Sequence, residues 1–139
     1  MEAKKMTEVS AALIWDGDTF MICQRPATKS CGLLWEFVGG KAEPGETGEE
    51  ALVRECREEL DVLIQPEGPA LTTEYQYPDR KVKLHFWDAR LLEGSPKPLA
   101  QQRLVWASPY ELRNYPFCPA NEEILTFLQQ RDTKSKDHK

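Results

Sequence analysis

The stretch Gly39–Val62, GGKAEPGETGEEALVRECREELDV, sets eight carboxylates against three basic side chains within 24 residues. Thr47 with Glu50 three residues later has the spacing of a capping box, in which each side chain satisfies the other residue's free amide at a helix start. The helix this predicts runs from about Gly48 to Leu60. At about 100° per residue, Leu52, Val53, Cys56 and Leu60 share one arc, while Glu55, Glu58 and Glu59 share the adjoining arc with Glu59 nearest the apolar edge. Acids spaced i, i+3, i+4 repel one another by a few tenths of a kcal/mol per pair in water, and by more once desolvated. Two helical pairs, Glu50 with Arg54 and Arg54 with Glu58, offer partial neutralisation, which is all a solvated, salt-bridged face requires. Two features point beyond such a face. The acids lie beside the apolar arc and not opposite it, and a Gly-Gly loop carrying Glu43 and Glu46 feeds into the helix. A cluster of oxygens without histidine or thiol suits a hard cation, Mg²⁺ first and Mn²⁺ second. Such a cation bridging a diphosphate neutralises its charge and opens phosphorus to water, so the chemistry expected is hydrolysis of a phosphoanhydride.

On the N-terminal side, VSAALIWDGDTFMICQR reads as two apolar strands around Asp16-Gly17, a dipeptide suited to a tight hairpin, and LWEFVGG as a short strand ending at a glycine pair. On the C-terminal side, DVLIQ and LTTEYQY read as separate strands. KVKLHFWDARLL follows as a longer one with bulk on both faces, hence central. GSPKPLAQQ is a loop and RLVWA a strand, and SPYELRNYP suggests a short helix. PANEEILTFLQQR suggests a terminal helix with Ile124, Leu125 and Phe127 or Leu128 turned inward, and the polar residues 132–139 are expected to form a disordered tail. Strands interleaved with a central and a terminal helix indicate a mixed sheet covered on both faces, of the α/β or α+β class.

The chain of 139 residues fits one domain spanning 1–139, with 40% hydrophobic and 29% charged residues. No apolar run approaches the roughly 18–20 residues that span a bilayer, and MEAKKMTEVS has bases but no apolar core of a secretory leader. Cys23, Cys31, Cys56 and Cys118 form no CxxC pair and stand far from both histidines, arguing against a zinc site or a disulfide framework and for a reducing cytoplasm. A net charge of −5 without a basic stripe argues against gripping long nucleic acid, while a single nucleotide fits. A membrane partner is not expected, and a monomer suffices.

These spacings resemble the Nudix box, which falls here on Gly40, Glu46, Arg54, Glu55, Cys56, Glu58, Glu59, Asp61 and Val62. Two departures are mild: Cys56 fills an aliphatic site as a small hydrophobe, and Asp61 replaces a glycine at a helix end where Asp tolerates left-handed backbone. The resemblance implies an α/β/α sandwich with a mixed sheet. It implies Glu58 and Glu59 as metal ligands, Glu55 as a further ligand or the base that activates water, the Gly40 carbonyl completing the shell, and an orienting Arg54–Glu46 salt bridge.

Beyond the box, QRP (24–26), LWEFVGGK, YPDR (77–80) and PAN (119–121) are similar to segments of the MutT branch of nucleoside triphosphate pyrophosphohydrolases. By that resemblance Arg25 touches the phosphates or base, Phe37 lines the base pocket, Tyr77 and Arg80 contact the nucleoside, and Asn121 reads an 8-oxo-purine edge through an amide that both donates and accepts. The chain also resembles CTP pyrophosphohydrolases through RPA, GLWEF, ALVRECREEL and LVWASPYEL, though these tend to carry Asp where Asn121 stands. Plainer roles compete at several positions: a surface arginine for Arg25, turn chemistry for Tyr77 and Arg80, an N-cap for Asn121, a packed side chain for His85. The branch often supplies a further glutamate from the loop before the last strand. Here that loop reads PLAQQRLVW, leaving Gln101 or Gln102 to position water, or Glu55 as sole base.

Overall fold

The structure, a computed structural model, describes residues 6–137. Strand β1 (Met6–Asp16) turns at Gly17, whose φ of 61° suits a tight hairpin, into β2 (Thr19–Gln24), with Asp16 opposite Thr19. The stretch expected as one strand before the helix divides into two short ones, β3 (Trp35–Glu36) on β2 and β4 (Gly39–Gly40) on β1. A single strand could not serve both partners, because β1 pairs with β4 at Ser10 and Ala11 and with β2 only from Trp15 onward. The sheet therefore forks at β1, and the glycine pair sits in the fork.

Helix α1 (Gly48–Leu60) has the expected bounds. Thr47 and Glu50 form the reciprocal capping box, and Asp61 ends the helix in left-handed backbone at φ 57°, ψ 43°. Ala51, Leu52, Cys56 and Leu60 are its buried residues, and Val53 is half-buried.

The two strands expected after the helix are one, β5 (Leu63–Gln76), which pairs with β6 (Lys81–Glu93) through register shifts at Pro66/Gly68 and Pro69/Leu71. Prolines end a strand where an amide is needed for the ladder, but β5 is the last strand of the order β3-β2-β1-β6-β5, and an edge strand tolerates them at bulges. β6 is central as expected, parallel to β1 and antiparallel to β5. β7 (Arg103–Ala107) pairs with β2.

Alternation along β1 and β2 divides the core between the faces of the sheet. Ala11, Leu13, Phe20 and Ile22 join Phe37, Phe86, Leu112, Ile124, Leu125 and Leu128 on one face. Ala12, Ile14, Met21 and Cys23 join Leu52, Cys56, Leu60 and Ile64 of the other. The first face is covered by α2 (Glu122–Asp137) and the second by α1, giving the α/β/α sandwich with a mixed sheet. SPYELRNYP contributes only a single 3₁₀ turn at Leu112–Asn114, and a second turn, Pro119–Asn121, leads into α2. Of the two alternatives at the third inward position of α2, Leu128 is buried and Phe127 packs half-buried against the core. α2 runs on into the stretch expected as a polar tail, where DTKSKD has no glycine or proline to stop it; residues 138–139 lie outside the described residues. No helix among the described residues is long and apolar enough to cross a membrane.

Candidate active site

Arg54 organises the start of the site. Its Nε donates to Glu46 Oε2 at 2.8 Å and its Nη2 to Glu46 Oε1 at 2.9 Å, a two-pronged pair, while Nη2 also donates to the Lys41 carbonyl at 3.1 Å. Nη1 reaches Glu55 Oε1 at 2.8 Å and Glu58 Oε2 at 3.3 Å. One guanidinium thus ties the glycine loop to the acidic helix face. The hydrogen bonds from Arg54, with the backbone amide of Glu43 adding to them, hold the Glu46 carboxyl down to about 2, and the same contacts raise Arg54 above its ordinary value. Glu50, the other partner expected for Arg54, is instead turned back to the Thr47 amide at 2.9 Å. A single carboxylate oxygen serves the cap better, because the helix start leaves that donor unsatisfied.

Glu55 lies under the glycine pair: a Cβ on Gly40 would stand 2.5 Å from its Cδ, so only glycine lets the loop backbone approach this carboxylate undisturbed. Glu58 is exposed, its side chain 57% accessible, on the outer rim. Glu59 sits deepest, as its place beside the apolar arc suggested. Loss of solvent pushes its carboxyl up to about 9, assisted by a hydrogen bond shared with Glu55 and by the charges of Glu55, Glu36 and Glu58. Its hydrogen-bond donor is Gln101 Nε2, 2.6 Å from Oε1, and not Gln102, whose backbone amide binds the Gln24 carbonyl.

The three helix carboxylates form no ready metal cage: Glu55 and Glu58 turn to Arg54, Glu59 meets Gln101 while sharing a hydrogen bond with Glu55, and no three His, Cys, Asp or Glu side chains among the described residues cluster in that way. The donor set nevertheless fits a hard cation. It is made of oxygens alone, and it includes a desolvated acid beside other acids, whose ionised form a bound cation would favour. Glu55, Glu58, Glu59 and the Gly40 carbonyl are the groups that would hold such an ion.

Next to this cluster opens a cavity of about 640 Å³ that reaches from the glycine pair to the turn before α2. Every residue expected to meet a nucleotide lines it, namely Arg25, Phe37, Tyr77, Arg80 and Asn121, and so does Gly40, expected at the metal. Phe37 is buried at 4% exposure between Phe86 and Phe117, so it is at once core and cavity floor; the equally buried Trp35 packs on Tyr115 instead. Tyr77 and Arg80 close their turn through Tyr77 N–H to Arg80 O at 2.8 Å, and the guanidinium lies 4.8 Å from the ring centre, so turn chemistry and cavity lining coincide. Burial pushes the Tyr77 phenol up to about 12. Asn121 is buried, with Nδ2 donating to the Cys118 carbonyl over a long 3.4 Å. His85 bridges Glu8 Oε1 at 2.9 Å and Thr72 Oγ1 at 3.3 Å across three strands, away from the cavity lining.

Sequence reasoning did not single out Glu36, Lys29, Ser30, Cys31 or Cys118, which also line the cavity. Glu36 takes both oxygens of its carboxylate to Arg25 Nη1, at 2.9 and 3.0 Å, and burial raises its carboxyl against the opposite pull of that arginine. A lone carboxylate between the buried aromatics Trp35 and Phe37 was the available signal, since a charge in such a run needs a partner.

Residues 10–127 match the family described as NUDIX domain. The chain belongs to the Nudix family and is a hydrolase. It is 37% identical over 134 residues to the CTP pyrophosphohydrolase of Escherichia coli (strain K12), covering 96% of this chain and 99% of that one. It is 36% identical over 115 residues to the 8-oxo-dGTP diphosphatase of the same strain, covering 83% and 89%. Among solved structures it is similar to the E. coli ORF135 protein, with a TM-score of 0.78, 37% identity and 92% of each chain covered. The MutT protein from Methanosarcina mazei Go1 gives a TM-score of 0.83 at 22% identity, over 98% of this chain and 99% of that one, a likeness of fold.

Proposed function

We propose that this chain is a Mg²⁺-dependent nucleoside triphosphate pyrophosphohydrolase, Mn²⁺ substituting, that cleaves 8-oxo-dGTP to the monophosphate and pyrophosphate and so cleans the nucleotide pool used in DNA replication. It would act on the free nucleotide in the cytoplasm, as a monomer. The observation that carries this reading is the position of Gly40, whose backbone both lines the nucleotide-sized cavity and packs on the Glu55 carboxylate. A base held in the cavity would bring its phosphates past the glycine pair to the acidic face.

When bound, the cation supplies charge neutralisation and makes phosphorus electrophilic. Glu55, held by Arg54 at one oxygen, takes the proton of the attacking water, and Arg54 with Glu46 keeps the loop and the helix in register. Arg25 is braced by Glu36 and by the Ser30 carbonyl at 2.6 Å, which places its guanidinium in the cavity wall. Asn121 Oδ1 accepts from the N7–H of an oxidised purine.

A second reading, turnover of CTP, dCTP or 5-substituted dCTP, is favoured by the match to the CTP pyrophosphohydrolase along nearly the whole of both chains. The same Oδ1 would accept from a cytosine amino group. Pyrophosphate release measured side by side on ordinary and oxidised nucleotides, with Mg²⁺ and with Mn²⁺, separates the two. The reading expects kcat/KM for 8-oxo-dGTP at least about tenfold above dGTP and CTP, a difference of about 1.4 kcal/mol. CTP ranking first would install the second reading. Turnover should fall by about 10²–10⁴ in Glu55→Gln with circular dichroism unchanged. A protein that binds nucleotides and releases no pyrophosphate from any of them would be a binding module instead.

A further inference from the structure

The loop between β6 and β7 is fastened at both ends of the stretch that faces the site. Lys97 N–H donates to the Leu60 carbonyl at 2.9 Å and Leu99 N–H to the Glu59 carbonyl at 3.1 Å, so the loop satisfies acceptors that the end of α1 leaves free. Lys97 Nζ reaches Asp61 Oδ2 at 3.1 Å, and Gln102 N–H holds the Gln24 carbonyl of β2 at 2.9 Å. Between these anchors Gln101 has little freedom. Its Nε2 lies 2.6 Å from Glu59 Oε1.

A purely structural cross-link would use both ends of the amide. Here Gln101 Oε1 is fully buried and has no hydrogen-bond partner. A buried acceptor left empty is costly, and native structures fill such atoms with protein or ordered water. The amide pressed on Glu59 therefore keeps an acceptor that no side chain or backbone group of the described residues fills.

We infer that Gln101 is a positioning residue for the cation site: its N–H fixes one oxygen of Glu59 so that the other faces a bound divalent cation, while its Oε1 accepts from solvent drawn in with the ion. This rests on the reading of Glu55, Glu58 and Glu59 as the cation-holding face. Gln101 supplies order without charge, where a carboxylate would add a fourth negative group.

Mn²⁺ binding by the full chain, without nucleotide, tests this through the paramagnetic resonance signal of free Mn²⁺, with thermal melting in chelator as the check on folding. Gln101→Leu and Gln101→Asn, which remove the donor or its reach, should weaken Mn²⁺ about tenfold or more, as loss of a group orienting a metal ligand does. Gln101→Met keeps the length and bulk of the side chain without its donor, and should bind Mn²⁺ as weakly as Gln101→Leu. Equal affinity in wild type, Gln101→Leu and Gln101→Asn overturns the inference while leaving the cation site standing. So does a Gln101→Met with wild-type affinity, because packing alone would then explain the loss in Gln101→Leu. Wild type that binds no Mn²⁺, or binds it unchanged after Glu59→Gln, removes the underlying site reading as well.

Discussion

Arg54 shows how one side chain divides its donors. The guanidinium has five N–H groups in a rigid fork, and here they serve Glu46, Glu55, Glu58 and the Lys41 carbonyl at once. A lysine would keep the charge and lose the geometry. The consequence is measurable at Glu46, whose carboxyl is held at about 2 against an ordinary 4.5. A depressed acid favours the folded state wherever it is ionised. Its contribution is therefore complete above about pH 4.5 and lost as pH falls toward 2. Glu46→Gln should flatten the acid limb of stability in that window, seen as a melting temperature that changes less between pH 5 and about 2.5 than that of wild type. Parallel curves would show that the pair does not act on stability. At this scale the sequence was informative where partners lie a few residues apart, as for Arg54 and Glu58. It was misleading for Glu50, because two local partners competed and the capping donor won.

The element that joins cavity and acids is β4 with the loop it begins. Its two glycines answer to different neighbours. A Cβ on Gly39 would stand 2.0 Å from the Ser10 carbonyl oxygen of β1, which is backbone and cannot yield without moving the strand. The three atoms nearest a Cβ on Gly40 all belong to the Glu55 side chain, which can swing away as backbone cannot. Gly39→Ala should thus cost about 1–3 kcal/mol or more in urea unfolding, the range for overpacking. Gly40→Ala should unfold close to wild type and lose most of its turnover, since the displaced group is the proposed base. Matching losses of stability in the two variants would contradict this division. The bounds of α1 were legible from its cap and its period, both local signals. The unity of β5 was not. Pro66, Gly68 and Pro69 spell an interruption unless the strand lies at an edge, and edge position is a property of the sheet.

Across the molecule, the sheet separates two apolar layers, one beneath α1 and one beneath α2. Leu52 belongs to the first and Leu128 to the second, both fully buried. Each truncated to alanine should cost about 2–5 kcal/mol, and the costs should add within about 0.5 kcal/mol, because no side chain is shared between them. Urea unfolding of the two single variants and of the double variant checks it, and strong coupling would mean that the layers pack as one. The parallel pairing of β1 with β6, flanked by β2 and β5, carries residues 25, 40, 77 and 121 to the rim of one cavity.

The sequence by itself determined the mixed sheet between two helices, the limits and cap of α1, the hairpin at Gly17, and the acidic arc beside an apolar one. All of these follow from hydrogen bonds or side-chain periods that close within a few residues. Only the tertiary structure decided that Glu36 braces Arg25, that Gln101 and not Gln102 meets Glu59 from 42 residues away, and that Asn121 faces the cavity with its amide turned to Cys118. Contacts between distant segments depend on strand order and on which free donors and acceptors each segment leaves behind, and no local pattern encodes either.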